Sequence, residues 1–167
     1  MPLDHESPPP GGAHTGGSSE PTGARHWEKR FDANLGPFSR MLMNALVVED
    51  SPRISERLVE LVSVPGQVEV VATAETEADA TAACNAYDID LAIVDLQLAE
   101  GTGFGVIRAL RESGRRRHAC IVVLTNHAVP ALATAAFAAG ADYFLDKSKD
   151  FGTLPQLIDE LLAGRKN

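Results

Sequence analysis

The stretch Leu91-Ala92-Ile93-Val94-Asp95 constrains the fold more than any other, because four apolar residues without alternation end abruptly on a carboxylate. A short run that is apolar at every position reads as a strand covered on both faces, the condition of a parallel sheet between two helical layers. The following residues, Gln97-Leu98-Ala99-Glu100-Gly101-Thr102-Gly103, read as a loop, so Asp95 is predicted where the strand leaves the sheet. Open α/β sheets bind ligands at that edge, where the loops diverge. An Asp at a strand end is also a common turn or cap residue. Its meaning therefore rests on what the other strand ends carry.

Four further runs read as strands. Ala45-Leu46-Val47-Val48 ends in Glu49-Asp50, Val68 to Ala74 forms the second strand, Cys120 to Leu124 ends on Thr125, and Tyr143-Phe144-Leu145 runs out at Asp146-Lys147. Helical patterns lie between them. Ser51 is a predicted N-cap with Pro52 at the first helical position, followed by the stripe Ile54, Leu58, Leu61 and Val62. Glu77 to about Ala86, the stripe Phe104, Val106, Ile107 and Leu110, and Pro130 to Ala139 closed by Gly140 are the next three helices. Thr153-x-x-Gln156 reads as a capping box ahead of a last helix carrying Leu154, Leu157, Ile158, Leu161 and Leu162. This alternation predicts an α/β fold: a doubly wound, five-stranded parallel sheet with right-handed crossovers and helices on both faces.

The 167 residues suit one domain of common size plus a tail. Residues 1–43 are rich in Pro, Gly, Ser and Thr at their start and predict a disordered extension. Within it Trp27, Phe31 and Leu35 have helical spacing, so residues 24–35 are a candidate short amphipathic helix. The folded domain is predicted over 44–165. A net charge of -8 argues against a nucleic-acid partner, and Arg115-Arg116-Arg117 reads as a solvated loop. No apolar run reaches membrane-span length and the N-terminus lacks the apolar core of a signal peptide. Cys84 and Cys120 lack metal-ligand spacing and read as packed free thiols. The expectation is a cytoplasmic protein that binds neither nucleic acid nor membrane.

In a parallel sheet all strand C-termini share one edge. If the order is the flavodoxin-like 2-1-3-4-5, the first and third strands are neighbours about 5 Å apart, and Glu49, Asp50 and Asp95 crowd one pocket. Like charges that close oppose one another unless a cation lies between them. Mg²⁺ suits such a set, because it accepts a few carboxylates and waters while reaching for a phosphate. Lys147 and Thr125 are then placed to meet phosphoryl oxygens, one as a charge and one as a hydroxyl donor.

These residues resemble the receiver domain of two-component response regulators over about Asn44 to Ala163. The resemblance is carried by Val47-Val48-Glu49-Asp50-Ser51, Val94-Asp95 with Gly103, Val123-Leu124-Thr125, and Gly140-Ala141-Asp142-Tyr143-Phe144-Leu145-Asp146-Lys147. It implies that Asp95 accepts a phosphoryl group from a sensor histidine kinase or phosphotransfer protein. It further implies that Asp50, Asp95 and the backbone carbonyl of Gln97 bind Mg²⁺, with Glu49 reaching the ion through water. Thr125 and Phe144 take the switch positions, and Lys147 reads the phosphoryl group. Such a protein is no enzyme beyond its own phosphorylation and dephosphorylation. Its output, to a downstream target or a second copy, is expected through the 130–163 face.

Three positions depart from the family pattern: Ser148 stands where Pro usually follows the Lys, leaving a cis or trans bond open, Asn126 is larger than the usual residue, and Ala99 replaces a common Pro. Other readings are weaker. An aspartate-nucleophile phosphatase needs a second Asp where Gln97 stands, and Gly101-x-Gly103-x-Gly105 lacks dinucleotide-binding spacing. A phosphorylation-independent interaction module remains the alternative. Little chain follows Gly164, so no DNA-binding output domain is expected. The Pro130–Ala139 helix carries no charge; with Phe137 turned to the core, Ala131, Leu132, Ala135 and Ala138 would face outward.

Overall fold

The computed structural model describes residues 42–113 and 118–165. The expected extension up to residue 41, its candidate helix at 24–35 and the Arg115-Arg116-Arg117 run lie outside the described residues. The element order is β1 Met43–Val48, α1 Pro52–Val62, β2 Val68–Ala74, α2 Glu77–Ala86, β3 Leu91–Val94, α3 Gly103–Glu112, β4 Cys120–Thr125, α4 Pro130–Ala139, β5 Tyr143–Asp146 and α5 Leu154–Arg165. All strand pairs are parallel, in the order β2-β1-β3-β4-β5. This is the predicted α/β architecture.

The two faces of the sheet explain why its strands lack alternation. Leu46, Val48, Ala92, Val94, Ile121 and Val123 pack towards α2, α3 and α4, while Ala45, Val47, Leu91, Ile93, Val122 and Leu124 pack towards α1 and α5. Successive residues serve opposite layers, so every position must be apolar. Each fully buried Val, Leu or Ile contributes about 1.5–3 kcal/mol relative to exposure. Arg111, in the last turn of α3, adds a polar tie by donating to the carbonyls of Ala119 and Gly140 and pairing with Asp142. Among the described residues no helix is long and apolar enough to cross a membrane.

Several local expectations change. The Ser51 side chain makes no cap bond; its backbone N–H instead donates to Glu49 Oε1 at 3.0 Å. Thr76 is the hydroxyl that caps, accepting from Asp79 N at 3.1 Å at the start of α2. The capping box at Thr153 does not form: its hydroxyl donates to the Asp150 carbonyl at 2.7 Å, closing a 3₁₀ turn over Phe151–Thr153. Every peptide bond among the described residues is trans, Lys147–Ser148 included.

The orientation of α4 is also corrected. Ala136 faces the core and is fully buried, Leu132 and Ala139 flank it, and Phe137 is 50% exposed. A methyl group at the point of closest contact lets α4 approach the sheet, and a phenyl ring there would hold it off. One residue further round the helix, the Phe137 ring instead packs against Phe144, with centroids 6.4 Å apart and planes tilted by 52°. Gly140 ends the helix at φ +117°, a left-handed conformation that disfavours a side chain, and its N–H bonds the Ala136 and Phe137 carbonyls.

Candidate functional site

The C-terminal edge of the sheet brings four of the predicted residues together. Asp95 N donates to Val48 O at 2.9 Å, extending the β1–β3 pairing by one residue and setting Asp95 beside Glu49. Carboxylate oxygens of Glu49, Asp50 and Asp95 lie within 4.8 Å of one another. Glu49 and Asp95 are buried, whereas Asp50 is exposed. Lys147, buried at the end of edge strand β5, reaches inward: its Nζ lies 2.5 Å from Asp95 Oδ2 and is ion-paired with Glu49 Oε2.

Backbone contacts hold these groups in place. The Lys147 N–H donates to the Thr125 carbonyl at 3.0 Å, so β4 fixes the root of the Lys side chain. Asp95 Oδ1 accepts from Gln97 N at 3.1 Å, and Oδ2 is taken by Lys147. Gly103 lies so close behind that a Cβ there would come within 2.2 Å of the Asp95 carbonyl oxygen, which explains a glycine opening α3. Thr125 is buried, and its Oγ1 accepts from His127 N at 3.4 Å. Phe144 is half-buried on the α4 side of the sheet, as its strand parity predicts, whereas Tyr143 is 37% exposed. Asn126 is exposed.

The electrostatics are those of an acidic pocket balanced by an ammonium. Burial raises the Glu49 carboxyl above its ordinary value, against the lowering effect of Lys147 and the Ser51 N–H. Burial alone would lower the Lys147 ammonium, but the Asp95 and Glu49 carboxylates outweigh it and hold its pKa above normal. Glu49 Oε2 is buried, with the Lys147 ammonium as its partner. Three carboxylates clustered within reach of one another, with only Asp50 of them exposed, are a donor set that fits a hard divalent cation with oxygen ligands.

The Glu49–Lys147 pair was not expected from sequence, since β1 and β5 are not neighbours. The signal was available in the length of a lysine at a strand end. The turn after Lys147 was also unanticipated. Asp146 Oδ1 accepts from Ser148 N at 2.8 Å and from Ser148 Oγ at 2.6 Å, while Asp150 Oδ2 accepts from Asp146 N at 2.8 Å. An Asp two residues before a Ser is the pattern of such side-chain turns.

The sequence model of the response regulator receiver domain matches residues 45–159. The chain belongs to that family. The photosynthetic apparatus regulatory protein RegA of Rhodovulum sulfidophilum is 40% identical over 106 residues, covering 63% of this chain and 55% of RegA. This receiver thus spans about half the length of the curated relatives it matches. A solved LuxR-family two-component response regulator from Aurantimonas sp. SI85-9A1 is 30% identical with a TM-score of 0.64, over 72% of this chain and 85% of that one. The signal receiver domain of the response regulator NarL from Mycobacterium tuberculosis is 25% identical with a TM-score of 0.64, over 73% and 97% of the two chains. As a receiver, the protein is a two-component signalling protein whose acidic cluster could hold a metal ion.

Proposed function

We propose that residues 44–165 form a phosphoacceptor module in which Asp95 takes a phosphoryl group from a phosphohistidine of a sensor kinase or phosphotransfer protein. The observation that carries this reading is the buried Asp95 carboxylate, held by Gln97 N on one oxygen and Lys147 Nζ on the other, beside two further carboxylates. In the transfer an Asp95 oxygen forms the new O–P bond, the phosphorus–imidazole bond breaks, and the histidine nitrogen keeps the electron pair. Mg²⁺ held by Asp50, Asp95 and the Gln97 carbonyl, with Glu49 reached through water, would neutralise the crowded carboxylates and the incoming phosphoryl oxygens.

The chain's own groups then do the rest. Lys147 is freed from the Asp95 carboxylate and follows the negative charge onto the phosphoryl oxygens. Thr125 at the end of β4 donates its hydroxyl, and Phe144 on β5, against Phe137, carries the change to α4. The output is a docking face over residues 130–163, offered to a protein target or a second copy. A phosphoryl group shifts this equilibrium only by its differential stabilisation of the two states, so the unphosphorylated form binds the same partner weakly.

The test is phosphotransfer from purified sensor kinases of the source organism in the presence of Mg²⁺. Radiolabel should pass from one kinase to this chain within seconds to minutes and fail to pass to Asp95→Asn. Transfer to both alike, or to neither from any kinase, would contradict the proposal.

A further inference from the structure

The loop between β3 and α3 carries Gln97 and closes on itself through a Gln97–Thr102 bridge and a 3.1 Å bond from Gly103 N to Leu96 O. Ala99 gives this loop no proline to stiffen it. A second segment supplies that stiffness. The residues entering α2 run alongside the loop, with a parallel Thr76–Glu100 bridge and a 3.0 Å bond from Glu77 N to Glu100 O. The Glu77 side chain then crosses over, and its Oε2 accepts from Thr102 N at 2.8 Å.

Two glycines make room for that carboxylate. A Cβ on Gly105 would come within 1.9 Å of Glu77 Oε1, and one on Gly101 within 2.4 Å of Glu77 Cβ. Gly101 also has φ +77°, so the loop turns sharply just where Glu77 presses against it. The glutamate is half-buried in this notch, on the first turn of α2 and against the residue preceding α3. It is not one of the three clustered carboxylates, and its bonds to Glu100 and Thr102 tie it to the loop backbone.

We infer that Glu77 is a positioning residue: seated between Gly101 and Gly105 and bonded to Thr102 N, it clamps the β3–α3 loop and so fixes the Gln97 carbonyl for the metal. This rests on the metal reading of the Asp50–Asp95 site. Loss of a group that orients a metal ligand weakens binding roughly 10-fold or more.

The experiment is Mg²⁺ titration of the full chain by calorimetry, with amide hydrogen exchange read at Thr102. Glu77→Ala should weaken Mg²⁺ binding roughly 10-fold and speed exchange at the Thr102 amide. Gly105→Ala should do the same by evicting the carboxylate while leaving Glu77 in the chain. Glu77→Gln, whose side-chain carbonyl still accepts from Thr102, should bind within about twofold of the parent. Parent-like Mg²⁺ affinity in Glu77→Ala, whatever the exchange rate, overturns the inference. So does a Glu77→Gln variant as weak as Glu77→Ala. Failure of the underlying metal reading has a different signature, parent-like Mg²⁺ binding by Asp50→Ala.

Discussion

The ammonium of Lys147 lies 2.5 Å from Asp95 Oδ2 and against Glu49 Oε2, so a single cation from the sheet's edge strand compensates two buried carboxylates. Removing it leaves the Asp95 nucleophile intact but takes away the charge that follows the phosphoryl group. Lys147→Ala should therefore accept phosphate from a small donor about tenfold more slowly, ~1.4 kcal/mol of barrier. It should also leave the Phe137 and Phe144 ring resonances where they were before labelling. Full-speed labelling, or a normal resonance shift on labelling, would contradict this role.

Asp50 is exposed within the cluster, while Glu49 is buried and committed to Lys147 and Ser51. Asp50→Ala should accordingly cost more Mg²⁺ affinity than Glu49→Gln, by about tenfold. Calorimetric titration of the two variants decides it, and equal losses would show that Glu49 is a direct ligand.

Burial pushes the thiols of Cys84 and Cys120 up to about 11. An acid whose folded pKa is raised favours the folded state while it stays protonated, so these thiols cost stability only as pH climbs above the unfolded value of 9.0. At pH 8 both should react with iodoacetamide far more slowly than a free thiol, and at full speed in 8 M urea. Rapid labelling of the native chain would contradict this packing.

The reorientation of α4 changes which substitutions matter. Ala136→Leu forces a larger side chain into a fully buried position and should destabilise by about 1–3 kcal/mol in urea unfolding. Phe137 is half-exposed, so Phe137→Ala should cost less than Ala136→Leu. If this face is the output surface, Phe137→Ala should also reduce phosphorylation-dependent association in pull-down while Asp95 labels normally. The same association in parent and variant would place the output elsewhere.

The strands and the residues at their ends were legible because apolar runs and terminal polar side chains are local signals that the sheet then aligns, whereas the strand order followed only from the resemblance to receiver domains. Glu49, Asp50, Asp95 and Lys147 meet as their positions in the pattern imply. The turn of α4 about its axis was not legible, since a helix of nearly uniform alanine has no polar face to set its rotation. Thr153 looked like a cap, but the Asp150 carbonyl three residues earlier competes for its hydroxyl. Glu77 gave no warning at all. Its partner Thr102 is 25 residues away, and only the crossover that lays the start of α2 against the β3–α3 loop brings them together.

The roles proposed for Lys147, Thr125 and the acidic cluster all depend on Asp95 being the phosphoacceptor. Incubation with acetyl phosphate and Mg²⁺, followed by borohydride trapping and peptide mass spectrometry, locates the acyl phosphate directly. The modification should fall on Asp95, require Mg²⁺, and be absent from Asp95→Asn, which keeps the fold. A label on another residue, or undiminished labelling of Asp95→Asn, would contradict it.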